Sequence, residues 1–151
     1  WVARVSFFPQ AEDLGLNTWV GASAFGSQEY LLINAFVGIG KSELGSLQLE
    51  MSRGTGAGDY DTLNLMALLS WNLKEWLVLE ARAEQAVASA QTSVGLAQAE
   101  TRQFVIGAQW FVLPYLELRP EYRLRISKQD EGGLTDEYIL GQYTLQVHLY
   151  Y

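Results

Sequence analysis

Polar and apolar residues alternate along most of this chain with a period of two. In "GQYTLQVHLYY", Tyr143, Leu145, Val147, Leu149 and Tyr151 share one side of an extended strand; Gln142, Thr144, Gln146 and His148 share the other. Such alternation argues for strands with one apolar and one polar face. It places nine strands, at 1–8, 16–25, 30–40, 44–53, 62–72, 76–86, 102–112, 115–126 and 137–151. The clearest apolar faces read Leu47, Leu49, Met51; Leu63, Leu65, Ala67, Leu69, Trp71; Leu77, Leu79, Ala81, Ala83; and Phe104, Ile106, Ala108, Trp110, Val112. Behind them lie Gln48, Glu50, Asn64, Ser70, Glu80, Arg82, Glu84, Gln103 and Gln109. The 115–126 strand is the most polarised, with Leu116, Leu118, Tyr122, Leu124 and Ile126 opposing Glu117, Arg119, Glu121, Arg123 and Arg125. The expected class is all-β, an antiparallel up-and-down barrel.

One stretch pulls the other way. "LEARAEQAVASAQTSVGLAQAE" is rich in Ala, Glu and Gln, which are better helix than strand formers. Its apolar residues make no sustained 3.6-residue stripe. Residues 77–86 therefore stay a strand, and 87–100 are expected as a long loop.

Two barrels fit this alternation, and each is the other turned inside out. A soluble lipocalin-like barrel faces its apolar side inward, whereas a membrane barrel faces it to lipid around a polar lumen. Connection lengths favour the second. Counted from the C-terminus they alternate between long (127–136, 87–101, 54–61) and short (113–114, 73–75, 41–43), as outer-membrane barrels do. The aromatics agree: Trp71, Trp76, Trp110, Phe111, Tyr115, Tyr150 and Tyr151 flank the short-turn end or the C-terminus. Trp and Tyr settle at a membrane–water interface because part of each ring is apolar and part hydrogen-bonds. The expected interface residues are Trp71, Trp76, Trp110, Tyr115 and Tyr151. Charges are confined to the polar faces of the clear strands, as lipid contact demands, although a soluble core would exclude them too.

Composition narrows the classes further. The chain has 151 residues, enough for one domain, and is 49% hydrophobic and 13% aromatic. No apolar run reaches the roughly 20 residues of a membrane helix. There is no initiator Met and no basic-then-apolar leader, so a signal peptide is expected to have been removed or to lie outside the sequence. Cysteine is absent, which excludes a disulfide framework and a thiolate site. A net charge of −7 argues against nucleic acid as a partner.

The terminal strand, apolar at alternate positions and closed by an aromatic, resembles the C-terminal strand of bacterial outer-membrane β-barrel proteins. "WFVLPYLELRPEYRLRI" is similar to a porin hairpin running through a tight Pro-containing turn. The resemblance implies that Tyr143, Leu145, Val147, Leu149 and Tyr151 serve as the recognition signal for the barrel-insertion machinery. It also implies an outer-membrane location, with lipid and lipopolysaccharide as surroundings. Pro120 departs from the pattern, because proline cannot donate to a ladder, and a bulge near Arg119–Glu121 is the expected accommodation. Strand number departs too: bacterial single-chain barrels have an even count. Residues 1–151 are thus expected to be the C-terminal portion of a larger barrel; the rival is eight strands from residue 16 with an N-terminal periplasmic extension.

Little points to catalysis. His148 is the only histidine, so neither a paired metal ligand nor a triad follows from it. "GTGAGDYD" lacks the Lys-Ser/Thr of a phosphate loop, and "KQDEGGLTDE" misses the EF-hand spacing. No enzyme activity, cofactor or metal is expected. The candidate functional residues are the lumen-facing Glu80, Arg82, Glu84, Glu117, Arg119, Glu121, Arg123, Arg125 and His148. In a wide pore such a wall sets ion selectivity; in a narrow barrel it becomes a paired plug. The expected function is porin-like diffusion of small hydrophilic solutes or ions. The alternatives are a structural barrel serving as scaffold or sheath for a partner protein or, less readily, a soluble lipocalin-like carrier; the expected protein partners are further copies in a homo-oligomer or a separate partner protein.

Overall fold

The computed structural model describes residues 1–11, 15–56, 59–92, 95–131 and 133–150. They form one antiparallel sheet and, among them, no helix. The strands are β1 (Val2–Phe7), β2 (Gln10–Ala11), β3 (Leu16–Gly26), β4 (Tyr30–Lys41), β5 (Gly45–Gly56), β6 (Tyr60–Lys74), β7 (Leu77–Thr92), β8 (Gly95–Leu113), β9 (Leu116–Glu131) and β10 (Leu134–Leu149). Nine of them follow one another in the order β1-β3-β4-β5-β6-β7-β8-β9-β10, and the two-residue β2 pairs with the start of β3. This is the nine-strand, up-and-down arrangement that the alternation predicts. The expected closure is absent: β1 and β10 do not pair, and the sheet stays open. Eight antiparallel steps separate those edge strands, so β1 and β10 run in the same direction.

The expected long links are a correction. Residues 87–92 extend β7, and 95–101 begin β8, paired from Val87↔Glu100 to Thr92↔Gly95. Likewise β5 and β6 stay paired to Gly56↔Tyr60, and β9 and β10 to Glu131↔Leu134. The connections at that end are therefore short, like 42–44, 75–76 and 114–115 at the other. The Ala-rich stretch is strand because a continuous hydrogen-bonded ladder outweighs helix propensity, which is a weak local preference. Small residues face one another there, as in Ala88↔Ala99 and Ala90↔Ala97. What distinguishes the two ends is the overhang of β7 to β10 rather than loop length.

Pro120 produces no register shift at Arg119–Glu121. Its pairing with Leu145 on β10 is kept. On the other side the β8–β9 pairing skips from Gly107↔Glu121 to Trp110↔Leu118 in unchanged register, and the shift comes later, between Phe111 and Leu113. The missing N–H is absorbed by a local gap in one ladder.

The register sorts the whole sheet into two faces. One carries Leu47, Leu49, Met51, Leu69, Trp71, Phe104, Ile106, Leu145 and Val147, all large, apolar and exposed. The other carries the polar set. The buried non-glycine residues among those described are Gln103, Val105, Glu117 and Ser127, and all four lie on the polar face. Burial is thus inverted with respect to a water-soluble sheet, where the apolar face is the covered one.

Candidate functional site on the polar face

The side chains expected to act together do share one face. Glu80, Arg82 and Glu84 project from β7, Glu117, Arg119, Glu121, Arg123 and Arg125 from β9, and His148 from β10, opposite Glu117. Period-two alternation along β7, β9 and β10 is enough to bring them there. No ion pair joins the arginines of β9 to Glu80 or Glu84, which lie two strands away. The ion pairs form along single strands, at i and i+2: Arg82–Glu84 at 2.8 Å, Arg123–Glu121 at 2.7 Å, and Arg119–Glu117. Same-face neighbours along one strand are closer than residues with a whole strand between them.

Between the charged strands, β8 contributes amides. Gln103, 6% exposed, donates from Nε2 to Glu84 at 2.9 Å and accepts the Arg125 guanidinium on Oε1 at 3.2 Å. It carries the charge network of β7 across to β9. Gln109 donates to Glu80 at 2.8 Å. Glu117, 1% exposed, accepts from Arg119 and from the phenol of Tyr150. A buried carboxylate needs such partners, because an unpaired one loses its hydration without recompense. His148 meets Gln146 at 3.2 Å through Nε2. Gln103 and Tyr150 were readable only as a polar-face glutamine and a rim aromatic; no local motif marks them as partners.

The N-terminal half of this face has another character. Asn34 donates to Glu50 at 2.6 Å, and glycines sit opposite aromatics. The indole of Trp19 occupies the space a Cβ on its paired residue Gly38 would need, and the ring of Phe36 does the same over Gly21. Larger residues at 38 and 21 would displace the rings. Arg4 lies over the Phe36 ring, 5.4 Å from its centre, in range for a cation–π contact. Trp19 stands at a polar position of its strand, between Asn17 and Gly21, which was the available signal that it is no rim aromatic.

The expected interface aromatics occupy one end of the apolar face or its turns. Trp71 pairs with Leu79, Trp110 with Leu77 and Leu118, and Trp76 and Tyr115 lie in the adjacent turns; all four are exposed. Tyr151 lies outside the described residues. Tyr143, Leu145, Val147 and Leu149 are exposed along the apolar side of β10, and Tyr143 packs on Tyr122 with ring centres 4.6 Å apart.

Away from that end the first charge on the apolar face is Arg102, and the register row just beyond it runs Arg53, Leu63, Val87, Glu100, Lys128 and Glu137. Its charges are paired: Arg53–Asp61 at 2.8 Å, Arg102–Glu100 at 2.6 Å and Lys128–Glu137 at 3.3 Å. The hydrogen bond from Arg53 holds the Asp61 carboxyl below the usual aspartate range. Between the aromatic end and this row lies a band of carbon-rich side chains, from Leu63 to Trp71 on β6, Leu116 to Ile126 on β9 and Ile139 to Leu149 on β10. A cavity of about 690 Å³ forms a trough across this band, floored by Ala35, Ala67 and Ala83, walled by Val37, Leu49 and Met51, and bordered by Gln85 and Arg102.

Comparison with known protein families, curated proteins and solved structures finds no match for the chain.

Proposed function

We propose that this sheet is part of the wall of a transmembrane β-barrel of the bacterial outer membrane, with its apolar face toward lipid. The observation that carries the reading is the inverted burial: the only non-glycine side chains buried among the described residues lie on the polar face, while Leu, Ile, Val, Phe and Trp stand exposed opposite. In water, such a face would be an aggregation surface far larger than a monomer tolerates. In a bilayer it is the solvated side. The band spans nine to eleven residues on β6, β9 and β10, the length at which a tilted strand crosses the hydrocarbon layer. Aromatics at one border and paired charges at the other agree with interfaces on both sides. The Ala-floored trough suits a lipid acyl chain.

An open edge in a membrane would leave backbone groups unsatisfied. Because β1 and β10 run in the same direction, antiparallel closure takes an odd number of further strands. Residues 1–151 would then form one part of that larger barrel. The polar face then lines the interior, and its function is passive diffusion of small hydrophilic solutes or ions. Self-paired charges leave the wall balanced around Glu117–Arg119 and Glu121–Arg123, in keeping with a solute path of weak net field.

Membrane extraction and planar-bilayer conductance test the two halves of the reading. A protein that needs detergent for extraction and gives discrete current steps fits both. One that remains monomeric in plain buffer sinks the membrane assignment. Detergent dependence without current leaves a closed scaffold barrel.

A further inference from the structure

We propose that the polar face binds a neutral, hydroxyl-rich ring of pyranose size in a cavity at its short-turn end. The cavity, about 220 Å³, is lined by Asn17, Trp19, Ser46, Ser70 and Asn72, with Gly40 among them. All six residues fall on the polar face by register, and the set spans β3, β4, β5 and β6: Asn17↔Gly40, Gly40↔Ser46 and Ser46↔Ser70 form one row. Lys41, Ser42 and Gly45 complete the rim, and of these only Lys41 carries charge. Its register parity belongs to the other face.

The chemistry of this lining is specific. Two hydroxyls and two carboxamides supply donors and acceptors without a formal charge, which suits hydroxyl groups better than ions. Asn72 already donates from Nδ2 to the Ser42 carbonyl at 2.7 Å, so its orientation is fixed and Oδ1 is left to accept. The wall is an indole. An aromatic face carries negative quadrupolar charge, and the ring C–H groups of a sugar, polarised by the neighbouring oxygens, are its complement. Trp19 is held for that role by Gly38, whose missing Cβ gives the indole its place. An aromatic wall beside a few convergent polar groups is a combination that small-molecule sites use to orient a ligand.

This inference rests on the reading of the polar face as a solute path and names the solute. Its own experiment is binding, measured on the whole protein in detergent micelles by titration with D-glucose and with myo-inositol. Saturable binding in the millimolar range, unaffected by salt, is expected. Trp19→Ala weakens it about tenfold through loss of the ring contact, and Gly38→Ala weakens it by displacing the indole without touching the ligand. If Trp19→Ala fails to fold, the Ser46→Ala and Ser70→Ala variants carry the test, each weakening binding by roughly threefold to tenfold. Absence of saturable binding in folded wild type overturns the proposal. So does binding that none of the folded variants changes, or a preference for tetramethylammonium or acetate over the sugars. Conductance on the same preparation separates the two ideas: current without sugar binding overturns the site alone, and sugar binding without current overturns the pore alone.

Discussion

Tyr150 donates its phenolic hydrogen to Oε2 of Glu117, so the end of the described chain is tied to the beginning of β9 on the polar face. The neighbouring backbone bond, Tyr150 N–H to Tyr115 O at 3.0 Å, continues the β9–β10 ladder past Leu149. Glu117 is the most deeply buried side chain of the described residues; Arg119 donates to its Oε1 and Tyr150 to its Oε2. Tyr150→Phe is therefore expected to lower unfolding stability by about 1.5–3 kcal/mol, the range for a hydrogen bond to a charged group. Urea unfolding in lipid vesicles measures it, and an unchanged midpoint would show that Glu117 finds water instead.

Gln103 joins Glu84 to Arg125. Gln103→Leu keeps the volume but leaves both charges without their amide partner, at a cost of about 1–3 kcal/mol per unsatisfied group. Gln103→Glu should be milder, because the new acid pairs with Arg125 while opposing Glu84. Loss in Leu exceeding loss in Glu supports the bridging role; the reverse order removes it.

Arg123 is paired with Glu121 on its own strand. Arg123→Glu puts two acids side by side and removes a cation from the wall. In an open pore, reversal potentials should shift toward cations with little change in unfolding midpoint, since water screens the pair over about 8–10 Å. In a plugged barrel the same change costs several kcal/mol and gives no current. If neither selectivity nor midpoint moves, the inward assignment of this face is wrong.

Leu49 and Gln48 are adjacent in sequence and opposite in face. Leu49→Arg is expected to cost about 2–4 kcal/mol in a bilayer, the penalty of a cation near the midplane. Gln48→Arg should cost far less. Equal effects in vesicles contradict the membrane orientation of the sheet.

Asp61, outside the carbon-rich band, titrates below the usual aspartate range because Arg53 donates to it. A depressed carboxyl contributes stability above its unfolded value and loses it as pH falls through the folded one. The stability gap between wild type and Asp61→Asn should thus be small at neutral pH, shrink with salt and vanish in acid. A gap that widens on acidification contradicts the pair.

Alternation along β5 to β10 determined the class of fold, the two faces and their membership, because side chains of a strand change sides at every residue whatever the strand pairs with. It also placed Glu80 to Glu84 and Glu117 to Arg125 on one surface. Which residues touch was decided by tertiary structure. Arg119 and Arg123 turn to acids two residues away along β9, and Gln103 spans the strands, because side-chain reach and cross-strand register settle contacts that parity leaves open. The ladder likewise drew residues 87–92 and 95–101 into β7 and β8 against their composition, since backbone pairing is a property of two segments and propensity of one. Closure is the same kind of question. Parity along one chain cannot pair its first strand with its last, and in this sheet both edges run the same way.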